Sequence, residues 1–291
     1  MRNVLLTLLV LFVVFIAYSF GVRKGSSDFS IGGVEKVAVL NIQGPILDPD
    51  EYLESLDNIR KNKAIKALVV RINSPGGAVG PSQEIYSELE SMRKELPVVA
   101  SMGAVAASGG YYIACAADTI FANPGTITGS IGVVAQFLSY KDLLEWAKID
   151  VEVIKSGDFK DVGSPLRTMK KEEIEYIQSL IMNVHNQFKN TVQISRKIDK
   201  SGVNEISDGK IFSGEQALRL KLIDKLGNLS SAIKFASDKA GIVDEPQIIN
   251  YPEKKSPLEE LLFSKLNLTS KINRITSSSS FGLFYIVDIV H

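Results

Sequence analysis

The run from Val4 to Val22, VLLTLLVLFVVFIAYSFGV, carries no charge and no polar face. As a helix rising about 1.5 Å per residue it is roughly 28 Å long, enough to cross a bilayer core. It is longer than the h-region of about 7–15 residues usual in a cleaved signal. Ala17-Tyr18-Ser19 is also a weak small-x-small exit. The pattern predicts a retained transmembrane anchor over 4–22. Arg2 and the α-amino group flank one end, Arg23 and Lys24 the other, so charge hardly orients it. Gly25-Ser26-Ser27-Asp28 and Gly32-Gly33 read as a tether over 23–34.

Beyond the tether the periodicity alternates. Lys36 to Ile46 reads as a strand ending in a Gly-Pro turn. Glu51 to Lys63 has helical spacing. Ala67 to Asn73, ALVVRIN, is almost wholly apolar, as in a strand buried on both faces of a parallel sheet. Ser74-Pro75-Gly76-Gly77 breaks it. Ser82 to Leu96 puts Ile85, Leu89 and Met92 on one helical face. Strands are expected at 98–102, 119–122, 151–154 and 247–251. Helices are expected at 108–117, 138–148, 170–197, 215–220 and 229–240. Strands alternating with helices predict an α/β fold with a largely parallel sheet. The main domain is placed at 35–250. A tail over 251–291 is polar and Ser-rich to Ser280. Its apolar end, Phe281 to Val290, is too short to span a membrane and is expected to dock on protein.

Composition narrows the chemistry. The 33 basic and 33 acidic side chains balance, so no basic footprint for nucleic acid is present overall. The single cysteine, Cys115, excludes an internal disulfide framework and a Cys-rich metal site. There are two histidines, His185 and the last residue, His291. His185 falls mid-helix in a polar-apolar repeat and reads as a solvated or satisfied surface histidine.

Candidate chemistry lies at the ends of two buried strands. After the first, Gly76 and Gly77 allow a tight turn whose N–H groups can face a ligand, with a helix N-terminus close behind. That suits an oxyanion hole; an ordinary strand-to-helix turn would look the same. After the next, Ser108 precedes Gly109-Gly110. A serine there is either a helix cap or a nucleophile, and a nucleophilic serine needs a base. Lysine is a common base when histidine is lacking. At its ordinary pKa only roughly 0.0004 of it is neutral at pH 7, and a pKa of about 8 raises that to roughly 10%. Burial can supply such a shift. Lys160, in a Gly-containing loop beside Phe159, is one candidate, and a solvated loop lysine is the other reading of it.

Taken together these segments resemble the signal peptide peptidase A family of membrane-anchored Ser-Lys peptidases. The resemblance rests on Asn73-Ser74-Pro75-Gly76-Gly77, Ala107-Ser108-Gly109-Gly110-Tyr111-Tyr112 and Gly125-Thr126-Ile127-Thr128-Gly129-Ser130-Ile131-Gly132. It continues through Ser156-Gly157 to Lys160-Asp161, Ser164-Pro165, Phe212-Ser213-Gly214 to Ala217, and Leu222 to Gly227. Each element is weak alone; together, in order over about residues 35–245, they are specific. Where Leu-Gly-Leu-Val-Asp is usual, this chain has Leu220-Lys221-Leu222-Ile223-Asp224, a departure that touches no catalytic position.

The resemblance implies a Clp-protease-like fold of the crotonase type, Ser108 as nucleophile, Lys160 as general base, and Ser130 as a hydrogen-bonding partner that orients the lysine. Backbone N–H groups at Gly76, Gly77 and Gly109 are the implied oxyanion donors. It further implies peptide substrates, namely remnant signal peptides, no metal or organic cofactor, and no nucleic-acid partner. It implies a homo-oligomer whose sites draw serine and lysine from neighbouring protomers, and a single-pass cell-membrane protein with its catalytic domain outside the cytoplasm. Three alternatives stand beside it: a related membrane-linked Ser-Lys protease acting on other proteins, an acyl-CoA enzyme of the crotonase fold, and a non-catalytic scaffold.

Overall fold

A computed structural model describes residues 35–253 and 283–286. The expected anchor at 4–22, the tether at 23–34 and most of the tail lie outside these residues. The chain divides into two compact units, Met1–Glu35 and Lys36–His291, and every helix and strand among the described residues belongs to the second. Among the described residues no helix is long and apolar enough to cross a membrane.

Strand β1 (Lys36–Gln43) sends alternate side chains to opposite faces: Val37 and Val39 to one, Ala38, Leu40 and Ile42 to the other, all buried. Strand β2 (Ile65–Ser74) repeats this with Ala67 and Val69 against Leu68, Val70 and Ile72. Strands apolar on both faces have to lie inside a sheet covered on both sides. They pair in parallel, Ala38 opposite Leu68 and Ile42 opposite Ile72. The crossover between them is helix α1 (Asp50–Lys61), which buries Leu56 and Ile59. Next come the short strand β3 (Gly76–Ala78) and helix α2 (Val79–Met92). As the spacing predicts, Ile85, Leu89 and Met92 face the core.

Strand β4 (Val98–Ala107) runs well past the expected end at Met102, and it forks the sheet. Its first half, Val99–Ser101, pairs with β5 (Thr119–Ala122), and its last residues, Val105–Ala107, pair with β6 (Ile127–Gly129). The register against β2 slips between these halves: Ile72 faces Met102, but Ser74 faces Ala106. The Asn73 side chain fills the slip. Its Oδ1 accepts from the N–H groups of Ala104 and Val105 at 3.1 and 3.2 Å. A Cβ on Gly103 would stand 2.9 Å from the same oxygen, so only glycine fits there.

Helix α3 (Gly109–Ala114) follows β4, shorter than the expected 108–117. After β6 come helix α4 (Lys141–Trp146), the long helix α5 (Lys171–Arg196), and α6 (Lys200–Ile206). Strand β7 (Ile211–Ser213), helix α7 (Gly214–Arg219), strand β8 (Lys225–Leu226), helix α8 (Leu229–Ala240) and strand β9 (Gln247–Tyr251) complete the domain. The main path of the sheet is β7-β6-β4-β2-β1-β9, with β5 and β8 branching from β4. Every pairing in it is parallel save β6 with β7. Helix α8 covers one face with Ala232 and Ala236 on Val37, Val69 and Phe121. The other face lies under α1, α2, α3 and Val184, Phe188 and Val192 of α5. The last described element, β10 (Phe284–Ile286), forms a separate two-stranded ladder with β3.

Two expectations fail. Val151 to Ile154 is not a strand: it has no regular structure and all four residues are exposed. Its alternating pattern has no strand beside it among the described residues to complete a ladder. Helix α4 covers only part of 138–148, closing just before Lys148, whose φ of +54° ends the turn.

Candidate active site

Ser108 stands where β4 gives way to α3, with φ 52° and ψ −114°. Such backbone geometry costs a non-glycine residue about 1–3 kcal/mol and is held only when its surroundings enforce it. Here the Ser108 N–H donates to the Gly129 carbonyl at 2.8 Å, and its carbonyl accepts from Tyr112 N–H at 2.8 Å. The side chain makes no capping hydrogen bond, which disposes of the cap reading. The residue is 1% exposed, and Oγ is buried with no hydrogen-bond partner. A buried hydroxyl left without a partner is uncommon and calls for an explanation.

Three glycines close around it. Gly76 has φ +108°, and a Cβ there would lie 2.9 Å from the Gly109 amide nitrogen and 2.0 Å from the Tyr285 carbonyl oxygen. A Cβ on Gly109 would lie 3.2 Å from the Gly77 nitrogen, and one on Gly77 would collide with the Ile46 backbone at 2.0 Å. The loop after β2 and the start of α3 therefore meet backbone to backbone. The three glycines singled out in the sequence come together beside Ser108. The Gly76 N–H is already engaged, donating to Ser74 Oγ at 3.1 Å.

Ser130, at the end of β6, also has positive φ, 50°, and is buried. Its N–H donates to the Lys210 carbonyl at 2.7 Å. With Gly132, Val134, His185, Ser207 and Ile286 it lines a cavity of about 590 Å³. Two side-chain atoms of that wall, His185 Nε2 and Ser207 Oγ, are buried without hydrogen-bond partners. His185 is thus not the solvated histidine that its place in the repeat suggests. Burial, helped by the charge of Lys189, lowers its imidazole pKa, against the carbonyls of Ser207 and Ile131. Neither Ser207 nor the role of His185 is visible in the sequence, because α5 and the 207–209 turn meet only in the fold.

Lys160 lies apart. It is exposed, in a turn where its N–H donates to the Gly157 carbonyl at 3.1 Å. Its ammonium makes no hydrogen bond or ion pair among the described residues. Since Ser108 Oγ has no partner at all, Lys160 is not within hydrogen-bond reach of it in the single chain. The loop is fixed by its neighbours. Asp161 takes both Lys155 and a two-pronged Arg167, at 2.7 and 2.8 Å, and Arg167 also grips Glu173 of α5 at 2.8 Å. These cations hold both carboxyls below the usual range, Arg167 first in each case; Glu173 falls to about 2.

The stretch of chain that leads to Lys160, residues 138–159, exposes many apolar side chains. Leu138, Leu143, Trp146, Ile149, Val153 and Phe159 are all exposed, Trp146 at 81% and Ile154 at 93%. Exposed apolar side chains in such number are the usual material of an interaction surface.

A forked, largely parallel sheet with a strained serine at the end of a central strand, backed by glycine amides, defines a Clp-protease-like serine peptidase. The chain belongs to peptidase family S49, whose model matches residues 90–243, and the Clp protease model matches residues 48–127. It is 40% identical over 226 residues to a Synechocystis sp. protein provisionally named a protease, covering 77% of this chain and 81% of that one. It is 34% identical over 224 residues to an Enterococcus faecium protein provisionally named signal peptide peptidase SppA, covering 72% and 65%. It is 33% identical over 236 residues to the chloroplastic serine protease SPPA of Arabidopsis thaliana, covering 76% of this chain and 35% of that one. The protein is thus a serine peptidase of the SppA type and not an acyl-CoA enzyme of the crotonase fold.

Proposed function

We propose that this peptidase is a membrane-anchored endopeptidase in which Ser108 of one copy works with Lys160 of a neighbouring copy, and that it degrades remnant signal peptides. The observation that carries the proposal is the state of Ser108: buried, strained, unpartnered and flanked by glycine amides, while Lys160 of the same chain is exposed. Among the described residues, the nucleophile of one chain has no base within hydrogen-bond reach. The chain also offers an exposed lysine, Lys160, in a stretch rich in exposed apolar side chains. A homo-oligomer supplies both needs with one contact.

The chemistry follows from the parts. Lys160 enters beside Ser130, whose hydroxyl accepts from the amine and aims it. Desolvation at the contact favours the neutral amine. The amine takes the Ser108 proton as Oγ attacks the peptide carbonyl. The N–H groups of Gly77 and Gly109 face the developing oxyanion, and Gly76 provides the close approach rather than a free donor. The ammonium then protonates the leaving amine, and water hydrolyses the acyl-enzyme. Membrane attachment rests on the uncharged run at 4–22. With the catalytic domain held outside the cytoplasm at the membrane surface, apolar signal remnants are the peptides within reach.

The test is hydrolysis of a signal-like apolar peptide by the full-length protein in detergent, with Ser108→Ala, Lys160→Ala and Ser130→Ala assayed beside it and assembly recorded on the same samples. Loss by several orders of magnitude in the first two, without loss of assembly, is expected. Ser130→Ala should keep some activity. Full activity in Lys160→Ala would show that the base lies elsewhere.

A further inference from the structure

Ser130 needs support that its own strand does not give. Its φ of 50° is strained for a non-glycine residue, so its surroundings must hold it. Strand β6 ends one residue earlier, at Gly129. From there two backbone segments frame Ser130. One begins with the next residue, Ile131, which is wholly buried. The other is the turn at 207–210, whose Lys210 carbonyl accepts the Ser130 N–H at 2.7 Å. Asp208 closes that turn, its Oδ1 accepting from the Lys210 N–H at 3.2 Å.

His185 stands behind both segments. It lies near the middle of α5, beside Val184 and Phe188, whose burial in the core fixes the helix there. Its imidazole faces the carbonyls of Ser207 and Ile131, one from each segment. Nε2, its buried nitrogen, nevertheless closes no hydrogen bond in the single chain. Ser207 Oγ is buried and unpartnered as well, and His185, Ser207 and Ser130 line one cavity. Native folds leave few such atoms, and each calls for an explanation. Hydrogen bonds of a catalytic site are often long in the free enzyme and tighten once the reacting groups arrive. His185 is no base for the nucleophile, since Ser108 Oγ has no partner at all.

We propose that His185 is a positioning residue: its Nε2–H reaches the carbonyls of Ile131 and Ser207, clamps the two segments that frame Ser130, and so holds the Ser130 hydroxyl where it aims the lysine amine. This rests on the Ser-Lys reading of the site. A neutral imidazole carries one N–H, and carbonyls facing the buried side of the ring favour its place on Nε2. The clamp touches no substrate, so it acts on the rate of the chemical step and not on binding.

The test uses the full chain and one signal-like apolar peptide, with assembly and Tm recorded on the same samples. His185→Phe keeps a ring at the position and removes the N–H. It should lower kcat about tenfold with KM unchanged. His185→Gln returns a donor near the place of Nε2 and should recover most of that loss. Full kcat in His185→Phe, or a Gln variant no better than the Phe variant, would overturn the proposal.

A double-mutant cycle decides the route. If His185 acts through Ser130, adding His185→Phe to Ser130→Ala should lower kcat no further. A double variant about tenfold below Ser130→Ala would show that His185 acts elsewhere, and would overturn the proposal too. In that case, with Lys160→Ala inactive, only this role of His185 has failed. If instead Lys160→Ala is as active as the wild type, it is the Ser-Lys reading that has failed, and the aiming of the amine falls with it.

Discussion

Ser108 and Lys221 are both non-glycine residues at positive φ, and the contrast between them is informative. Ser108 holds φ 52° beside a hydroxyl without a partner, at the end of a central strand. Lys221 holds φ +60° just after α7, at the place where a glycine is usual in the family. Its carbonyl accepts from Arg196 Nε at 3.1 Å, and its side chain is exposed. The strain at Lys221 serves no visible chemistry, so relieving it should help. Lys221→Gly is expected to stabilise the domain by about 1 kcal/mol, raising Tm by roughly 2–4 °C in a scan while leaving peptide hydrolysis unchanged. An unchanged or lower Tm would mean that the backbone is not strained there. Ser108 and the glycines stand out in the sequence because small residues follow two buried strands there, though a helix cap and an ordinary turn fit the same residues until the ordered motifs are taken together. The strain itself was not, since φ depends on the Gly129 carbonyl from another strand. Ser207 and the pocket role of His185 were hidden for the same reason: each is given meaning by a partner distant in sequence.

The element that presents Lys160 is a loop with almost no regular structure, held by charge rather than by a ladder. Arg167 bridges Asp161 to Glu173 at the start of α5, and the Lys170 N–H also donates to Glu173, at 2.8 Å. Cutting this bridge leaves two carboxylates facing each other and frees the loop. Arg167→Ala should therefore lower hydrolysis by about 10- to 100-fold through misplacement of Lys160, with little change in far-UV circular dichroism. Retained activity would show that the loop is ordered by other contacts. The pH dependence has a fixed sign. Both carboxyls titrate lower in the fold than their ordinary values near 4. The bridge is therefore complete above that pH and is lost as pH falls towards 2. Trp146, the single tryptophan, lies near this loop in sequence, and its emission should shift over that acid range in the wild type but not in Arg167→Ala. At this scale the sequence was clear wherever an element filled a full period: β1, β2, α2, α5 and α8 stand as expected. Strands of two or three residues, β3, β6, β7 and β8, carry no periodicity and were missed. The VEVI segment at 151–154 shows the converse, a strand-like alternation with no strand beside it.

The described residues of the second unit form an α/β domain whose sheet is covered on both faces, with exposed apolar side chains along 138–159. The composition and alternating elements were sufficient to place it among parallel-sheet folds, and the ordered motifs placed it in its family. A dyad shared between copies is implied by the resemblance alone; periodicity and spacing do not carry it, because order along the chain does not say which copy a side chain will serve. The decisive measurement is complementation. Ser108→Ala and Lys160→Ala chains are produced separately and together at full length, and hydrolysis of one apolar peptide is compared. Each alone should be inactive. Mixed oligomers should recover about a quarter of the wild-type rate per chain, since in random mixing one site in four pairs an intact serine with an intact neighbouring lysine. A mixture that assembles as the wild type does yet stays inactive would contradict a site shared between copies.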